Sequence, residues 1–398
     1  MRMVKLTCFA LNIPFMEAFT HSTKSRAYSD SIVVKLESED GCTGFGEGVP
    51  RPYVTGESVE TCLEALSGRF WQQLQGKEWP TWSEDPGLLD RLADLLDGPA
   101  DPAWNAGEPA TRGRKGDEPV RAWNAARCAL ELALLDGLLR KAGKSAGDLL
   151  PPLRKSVPYS GVIAASSAEK AGKTARHLGA FGIRTLKIKT GGREEAEVVA
   201  AVRLAAGPDA SLRIDANGAY SPEEAATRLA KLALYGIACA EQPIARGEPG
   251  VLAELRKASP IPLMADESLV TLADGKALVA AEACDFFNLR LSKCGGFGPC
   301  LALANLARSA GVRMQLGCQV GETGILSAAG RHLAAHLDEL VWVEGSFGTL
   351  LLREDVTRAK VQFGHGGMAP VLRGPGLGVE VDEELLRRYA VAIVEREF

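Results

Sequence analysis

Thr185-Leu-Lys-Ile-Lys-Thr-Gly191 places two lysines two residues apart inside a short apolar run. In a strand, side chains i and i+2 share a face, so Lys187 and Lys189 point the same way. Gly191 and Gly192 end the run. Similar runs follow. Leu212-Arg-Ile-Asp215 and Ile237-Ala-Cys-Ala-Glu241 each end in a carboxylate, and Pro262-Leu-Met-Ala-Asp-Glu267 ends in two. Asp285-Phe-Phe-Asn-Leu-Arg-Leu-Ser-Lys293 ends in a lysine. From 189 these ends fall at 215, 241, 266, 293, 318 and 344, in steps of 26, 26, 25, 27, 25 and 26 residues. Ala/Leu-rich stretches of helical period, such as 223–234 and 301–310, lie between them. Strand and helix alternating at a fixed step predict βα units and a parallel sheet. Eight such units close a TIM-type (β/α) barrel, whose chemistry sits at the C-terminal strand ends. Scattered surface charges would not keep that phase.

A barrel takes about 250 residues, which leaves part of this 398-residue chain for something else. The expected division is an α+β capping domain at 1–125, the barrel at 126–352, and a segment at 353–398 that returns to the cap. Within the first part, 31–37, the turn Asp40-Gly41 and 43–47 read as a β-hairpin. Pro50-Arg-Pro-Tyr-Val-Thr-Gly-Glu57 reads as a loop leading to a helix from about Ser58. The Asp-, Gly-, Pro- and Trp-rich stretch 77–120 reads as an insertion, with one short helix near 88–96. A long apolar helix is expected over 125–150, the first barrel strand over 157–163, and a final helix over 382–396.

The net charge of −4 argues against a nucleic-acid surface. No run of 18 apolar residues predicts a membrane span. The opening Met-Arg-Met-Val-Lys-Leu-Thr-Cys8 turns polar too soon for a secretory leader. Nine scattered cysteines, several inside apolar runs, suit reduced thiols in a cytoplasmic protein. A homo-oligomer acting on a small-molecule carboxylate is expected.

Three carboxylates at one barrel end repel one another unless a cation is present. Asp215, Glu241 and Asp266 offer only oxygen, which suits a hard ion, Mg²⁺ above all, with Mn²⁺ as a substitute. Lys189 lies on the strand before them and Lys293 on the strand after. A lysine near cations and partly desolvated is a usable base. Two bases on opposite faces of a metal-bound carboxylate suggest α-proton removal on one face and delivery on the other. Schiff-base chemistry on one lysine is the other reading, and it leaves the carboxylates unexplained.

Lys187-Ile-Lys189, Asp215-Ala-Asn217, Glu241-Gln-Pro243, Ala265-Asp-Glu-Ser268 and Ser292-Lys-Cys-Gly-Gly296 together resemble the enolase superfamily, in its muconate-lactonizing subgroup. The resemblance implies a modified barrel under an α+β cap. It implies Lys189 and Lys293 as the acid/base pair beside Lys187, and Asp215, Glu241 and Asp266 as Mg²⁺ ligands. The subgroup includes dipeptide epimerases, N-acylamino acid racemases, o-succinylbenzoate synthases and muconate cycloisomerases. Epimerisation or racemisation of a dipeptide or N-acylamino acid is the first expectation, and cycloisomerisation or syn-dehydration the alternative. The 50–57 loop, with Tyr53 and Thr55, resembles that of dipeptide epimerases, and Lys24 falls where an epimerase of acidic dipeptides carries a carboxylate-binding arginine. His21 and Arg26 share its basic loop. Glu322 resembles the epimerases' seventh-strand glutamate, displaced by one residue. Asn217 and Glu267 complete the expected substrate contacts, with Glu344 and Ser346. At the eighth strand the chain departs from the pattern. Where dipeptide epimerases carry Asp-x-Asp, this chain reads Glu344-Gly-Ser346.

Overall fold

Five strands open the chain: β1 (Met3–Leu11), β2 (Pro14–Thr20), β3 (Ser25–Tyr28), β4 (Ile32–Ser38) and β5 (Thr43–Gly48). In this computed structural model the described residues are 2–20, 25–75, 77–79, 82, 87–97, 122–165 and 167–397. His21, Lys24 and most of the 77–120 insertion fall outside them; of Arg26 only the backbone is described. The expected hairpin forms, with Val33 opposite Glu47 and Lys35 opposite Phe45. The helix Val59–Ala65 starts on a capping box in which Ser58 and Thr61 bond each other's backbone.

After β6 (Ser156–Pro158) come eight parallel strands. They are β7 (Gly161–Ile163), β8 (Thr185–Lys189), β9 (Ser211–Asp215), β10 (Ile237–Glu241), β11 (Leu263–Ala265), β12 (Phe286–Leu289), β13 (Arg313–Leu316) and β14 (Leu340–Val343). Each pairs with its sequence neighbour, in the order β7 to β14. The Ser160 N–H donates to the Val343 carbonyl at 2.8 Å and joins the last strand to the first. The expected first strand over 157–163 is thus two strands. Val157 pairs instead with Ala369 of β15 (Met368–Pro370), and the chain turns at Tyr159 before entering the barrel.

Helices cross over between the strands, among them Glu195–Ala206, Pro222–Ala233 and Leu272–Ala280. Ser221 and Thr271 cap two of them with reciprocal capping boxes, each worth ~1 kcal/mol. Leu186, Ile188, Leu212 and Ile214 are buried. Their alternation with Lys187, Lys189, Arg213 and Asp215 sends the charged side chains to the barrel interior.

The final helix is shorter than expected. It spans Glu383–Tyr389, and β16 (Ala390–Glu397) follows. The stretch Ala390-Val-Ala-Ile-Val-Glu-Arg-Glu397 pairs antiparallel with β1, Cys8 facing Val394. A long-range partner decides an alternating, β-branched segment that reads as helix alone. The resulting sheet runs β16-β1-β4-β5. The helix Asn124–Lys141 lies on β5. A Cβ at Gly44, Gly46 or Gly48 would stand 2.0–2.1 Å from a carbonyl oxygen of Ala133, Ala129 or Ala125, so only glycine permits this approach. Gly143 ends that helical stretch with a positive φ, earlier than the expected 150. Among the described residues no helix is long and apolar enough to cross a membrane. All nine cysteines are free.

Candidate functional site

The second barrel strand, β8, brings Lys187 and Lys189 to the interior. Lys187 is buried, and its Nζ meets Asp215 Oδ2 at 3.0 Å, Glu241 Oε1 at 2.8 Å and Glu344 Oε2 at 3.1 Å. Burial opposes its charge, but the three carboxylates outweigh that and hold it well above the usual lysine range. Lys189 lies one step nearer the strand end. Its Nζ bonds Asp215 Oδ2 at 2.6 Å and Asn217 Oδ1 at 2.8 Å, and its side chain keeps 16% of its exposure. Asn217 adopts φ +47°, which turns the chain just past β9 and aims its amide at Lys189 and Glu267.

Asp215, Glu241 and Asp266 come together through shared donors. Asn288 Nδ2 donates to Glu241 Oε1 at 3.0 Å and to Asp266 Oδ1 at 3.2 Å. Arg290 Nη2 reaches Asp266 Oδ2 at 2.5 Å and Glu241 Oε1 at 3.2 Å. Gln315 Nε2 donates to Glu241 Oε2 at 3.2 Å. Burial raises the Glu241 carboxyl to about 7, with Asp215 adding to the effect. For Asp215 burial acts upward too, but Lys187 and Lys189 outweigh it and hold it low. Among the described residues no three Asp, Glu, His or Cys side chains stand ready as a metal cage. Lys187 and Arg290 bridge the carboxylates instead.

A cavity of about 170 Å³ opens at this strand end. Lys187, Lys189, Asn217, Glu267, Arg290 and Glu322 line its polar part, and Val162, Phe347 and Leu351 its apolar part. Tyr53 from the 50–57 loop and Glu344 also line it. Thr55 is buried, its hydroxyl 3.5 Å from the Arg51 carbonyl, and does not line this cavity. Burial raises Glu267 to about 7, with Asp266 and Asp215 adding to it, and Glu322 to about 8. Glu267 accepts from Asn217 at one oxygen; its buried Oε2 has no hydrogen-bond partner among the described residues.

Lys293 sits elsewhere than expected. Strand β12 stops at Leu289, and Lys293 belongs to the one-turn helix Leu291–Cys294. It is 1% exposed, and its Nζ donates to the Asp266 carbonyl at 2.8 Å, Asp266 Oδ1 at 2.9 Å and the Asn288 carbonyl at 2.7 Å. It does not line the cavity, whereas Arg290 does. Glu344 is doubly committed, to Lys187 and to Arg213 Nη2 at 2.6 Å. Ser346 faces a smaller adjoining cavity of about 20 Å³ and accepts from Arg331 Nη2 at 2.7 Å. Arg213, Asn288, Arg290, Gln315 and Arg331 are the polar residues that sequence reasoning missed. The signal for two of them was present: Asn288-Leu-Arg290 repeats the two-residue spacing of Lys187-Ile-Lys189.

Fold and site define a parallel α/β barrel with a charged pocket at the C-terminal ends of its strands, the general place for catalysis in such barrels. The chain belongs to the enolase superfamily: residues 169–385 match the family described as "Enolase C-terminal domain-like". It is 32% identical to an L-Lys-D/L-Arg epimerase of Methylococcus capsulatus, over 94% of this chain and 97% of the relative. The crystal structure of an N-succinyl Arg/Lys racemase from Bacillus cereus superposes with a TM-score of 0.86, at 26% identity and full coverage of both chains. A dipeptide epimerase from Enterococcus faecalis, solved with Mg and L-Leu-L-Tyr, superposes at 0.81 with 27% identity, over 96% of this chain and 100% of the other.

Proposed function

We propose that this chain removes the α-proton of a carboxylate substrate and returns one to the same carbon, racemising or epimerising an N-acylamino acid or a dipeptide. The observation that carries this reading is Lys189, partly exposed in the cavity wall and held by Asp215 and Asn217. An amine so placed takes a proton from a substrate carbon seated in front of it. The names of the relatives, an L-Lys-D/L-Arg epimerase and an N-succinyl Arg/Lys racemase, support an acylated or peptide-linked amino acid as the substrate class.

Asp215, Glu241 and Asp266 fit Mg²⁺, or Mn²⁺ in its place. They offer oxygen alone, they already share cationic donors, and the unpartnered Glu267 Oε2 lies beside Asp266. The bound ion would supply positive charge against the negative charge that grows on the substrate carboxylate as its proton leaves. Asn217 and Asp215 orient the Lys189 amine. Tyr53, Phe347 and Leu351 shield the pocket from water, with Glu267 and Glu322 as its polar contacts.

In the two-lysine form of this proposal Lys293 serves the opposite face. Its three hydrogen bonds to Asp266 and Asn288 have to open before it can do so. Residues 1–125 and 353–398 are proposed as a cap over the barrel of 126–352, in a cytoplasmic homo-oligomer. The experiment is incubation in D₂O with Mg²⁺ and single enantiomers of N-succinyl-lysine and of lysyl-arginine. Deuterium at the α-carbon with chiral inversion supports the reading. Loss of water or ring formation instead points to the dehydratase or cycloisomerase alternative.

A further inference from the structure

Residues 317–323 join β13 to the helix Gly324–His336, and Cys318, Gln319, Val320, Gly321 and Glu322 among them line the cavity. The stretch closes on itself. The Glu322 N–H donates to the Gln319 carbonyl at 3.3 Å, and the Gln319 N–H to Glu322 Oε2 at 3.1 Å. A turn tied in this way moves as a unit, so its place in the cavity wall depends on what holds its outer side.

Three residues from the first part of the chain hold that side. Ser29 Oγ donates to the Gly321 carbonyl at 2.8 Å, and Arg51 Nη2 to the Val320 carbonyl at 2.5 Å. A Cβ at Gly321, where φ is +91°, would stand 3.2 Å from Ser29 Cα, so the turn lies directly against this segment. Glu47 of β5 is buried and takes the start of the helix. Its Oε1 accepts from the Thr323 N–H at 2.9 Å, and its Oε2 from Thr323 Oγ1 at 2.7 Å and the Leu326 N–H at 3.0 Å. The first N–H groups of a helix have no partner within it and carry the positive end of its dipole. A carboxylate answers both needs. A glutamine offers one acceptor oxygen, and its amide nitrogen only donates.

We propose that Ser29, Glu47 and Arg51 form a clamp that positions the 318–322 wall of the pocket, with Glu47 as its anchor, and that the clamp sets how tightly the substrate is held. This rests on the reading that the cavity takes the substrate. Glu47 does not line the cavity and acts through Thr323, so it is a positioning residue. Lys189 is held by Asp215 and Asn217, away from the clamp. Loosening the wall therefore weakens substrate binding and spares proton removal from the bound substrate.

Cys318 reports on the wall without any need for turnover, because it is half-buried and lines the cavity. Cys239 is fully buried in β10 and reports on opening of the barrel itself. The test is alkylation by iodoacetamide under native conditions, with each cysteine read by mass spectrometry. Glu47→Gln is expected to raise the Cys318 rate about tenfold, the range of a lost charge-assisted contact, with Cys239 within about threefold of wild type. Ser29→Ala should raise it about two- to fivefold, as for one neutral hydrogen bond, and decides alone if Glu47→Gln does not fold. A loss of stability alone would expose both thiols together. An unchanged Cys318 rate, a parallel rise at Cys239, or a wild-type Cys318 that reacts as fast as in the urea-unfolded chain overturns the proposal. With N-succinyl-lysine or lysyl-arginine as substrate, Glu47→Gln should raise KM about tenfold and leave kcat within about threefold. Faster labelling with KM unchanged, or a fall in kcat alone, overturns the link to substrate binding. Labelling as expected, without α-proton exchange in either compound, would instead count against the racemase reading and leave the clamp in place.

Discussion

Lys187 and Glu344 meet inside the barrel, Nζ to Oε2 at 3.1 Å, and tie the second strand to the end of the eighth. Glu344 also binds Arg213, whose guanidinium lies 4.8 Å from the centre of the Trp342 ring. Both partners of Glu344 are buried cations. Glu344→Gln would leave them short of a counter-charge, which costs about 3–5 kcal/mol when one partner of a buried pair is removed. Urea denaturation should show that loss. A change under about 1 kcal/mol would mean that water already reaches this network.

Lys189→Met is expected to lower α-proton exchange by about 10³-fold, in the range of a lost general base, with Mg²⁺ binding kept. Solvent exchange followed by NMR reads the first and calorimetry the second. Exchange at the wild-type rate would take the base assignment away from Lys189.

Chelation should abolish turnover, and Mg²⁺ or Mn²⁺ should restore it. Asp215→Asn, Glu241→Gln and Asp266→Asn should each weaken metal binding. Mg²⁺ should also raise the melting temperature, since a ligand that binds only the folded state stabilises it by mass action. Full activity in chelator would sink the ligand assignment.

Glu322 sets a pH dependence of stability. Burial raises its folded carboxyl from 4.5 to about 8. The folded state therefore holds a proton that the unfolded chain has lost between those values, and stability falls as pH rises through that window. Above about 8 the penalty is fully present, up to ~5 kcal/mol at ~1.4 kcal/mol per unit. Glu322→Gln has nothing to ionise. Its stability relative to wild type should climb from pH 5 to pH 8, as read by urea unfolding at each pH. A constant difference across that range would show that Glu322 ionises freely in the fold.

The barrel was legible because its signal is periodic: Lys189, Asp215, Glu241 and Asp266 keep step with the strands that carry them. Lys293 keeps the same step and still misses the cavity. Spacing does not reveal that β12 stops at Leu289 and that the next residues coil. Arg290 was hidden for the converse reason, since an arginine in an apolar run carries no chemistry until its neighbours are known. Strand β16 was misread because its partner, β1, lies at the other end of the chain. The roles of His21, Lys24 and Arg26 remain expectations of the sequence.

Ser346 stands where a second carboxylate would complete an ammonium site. The simple expectation is that Ser346→Asp converts the pocket toward substrates with a free amino group. The geometry argues otherwise. Ser346 is 1% exposed and lines the small adjoining cavity, not the one lined by Lys189. Its hydroxyl accepts from Arg331, which lies 5.4 Å from the Tyr159 ring centre and also donates to the Gln362 carbonyl. An aspartate tolerates the left-handed backbone at this position, φ +54°. Its carboxylate would pair with Arg331 and be neutralised there. Ser346→Asp should therefore leave the ratio of kcat/KM for lysyl-arginine over N-succinyl-lysine within about threefold of wild type, under ~0.7 kcal/mol of discrimination. A rise of tenfold or more in that ratio would show that position 346 faces the substrate ammonium after all.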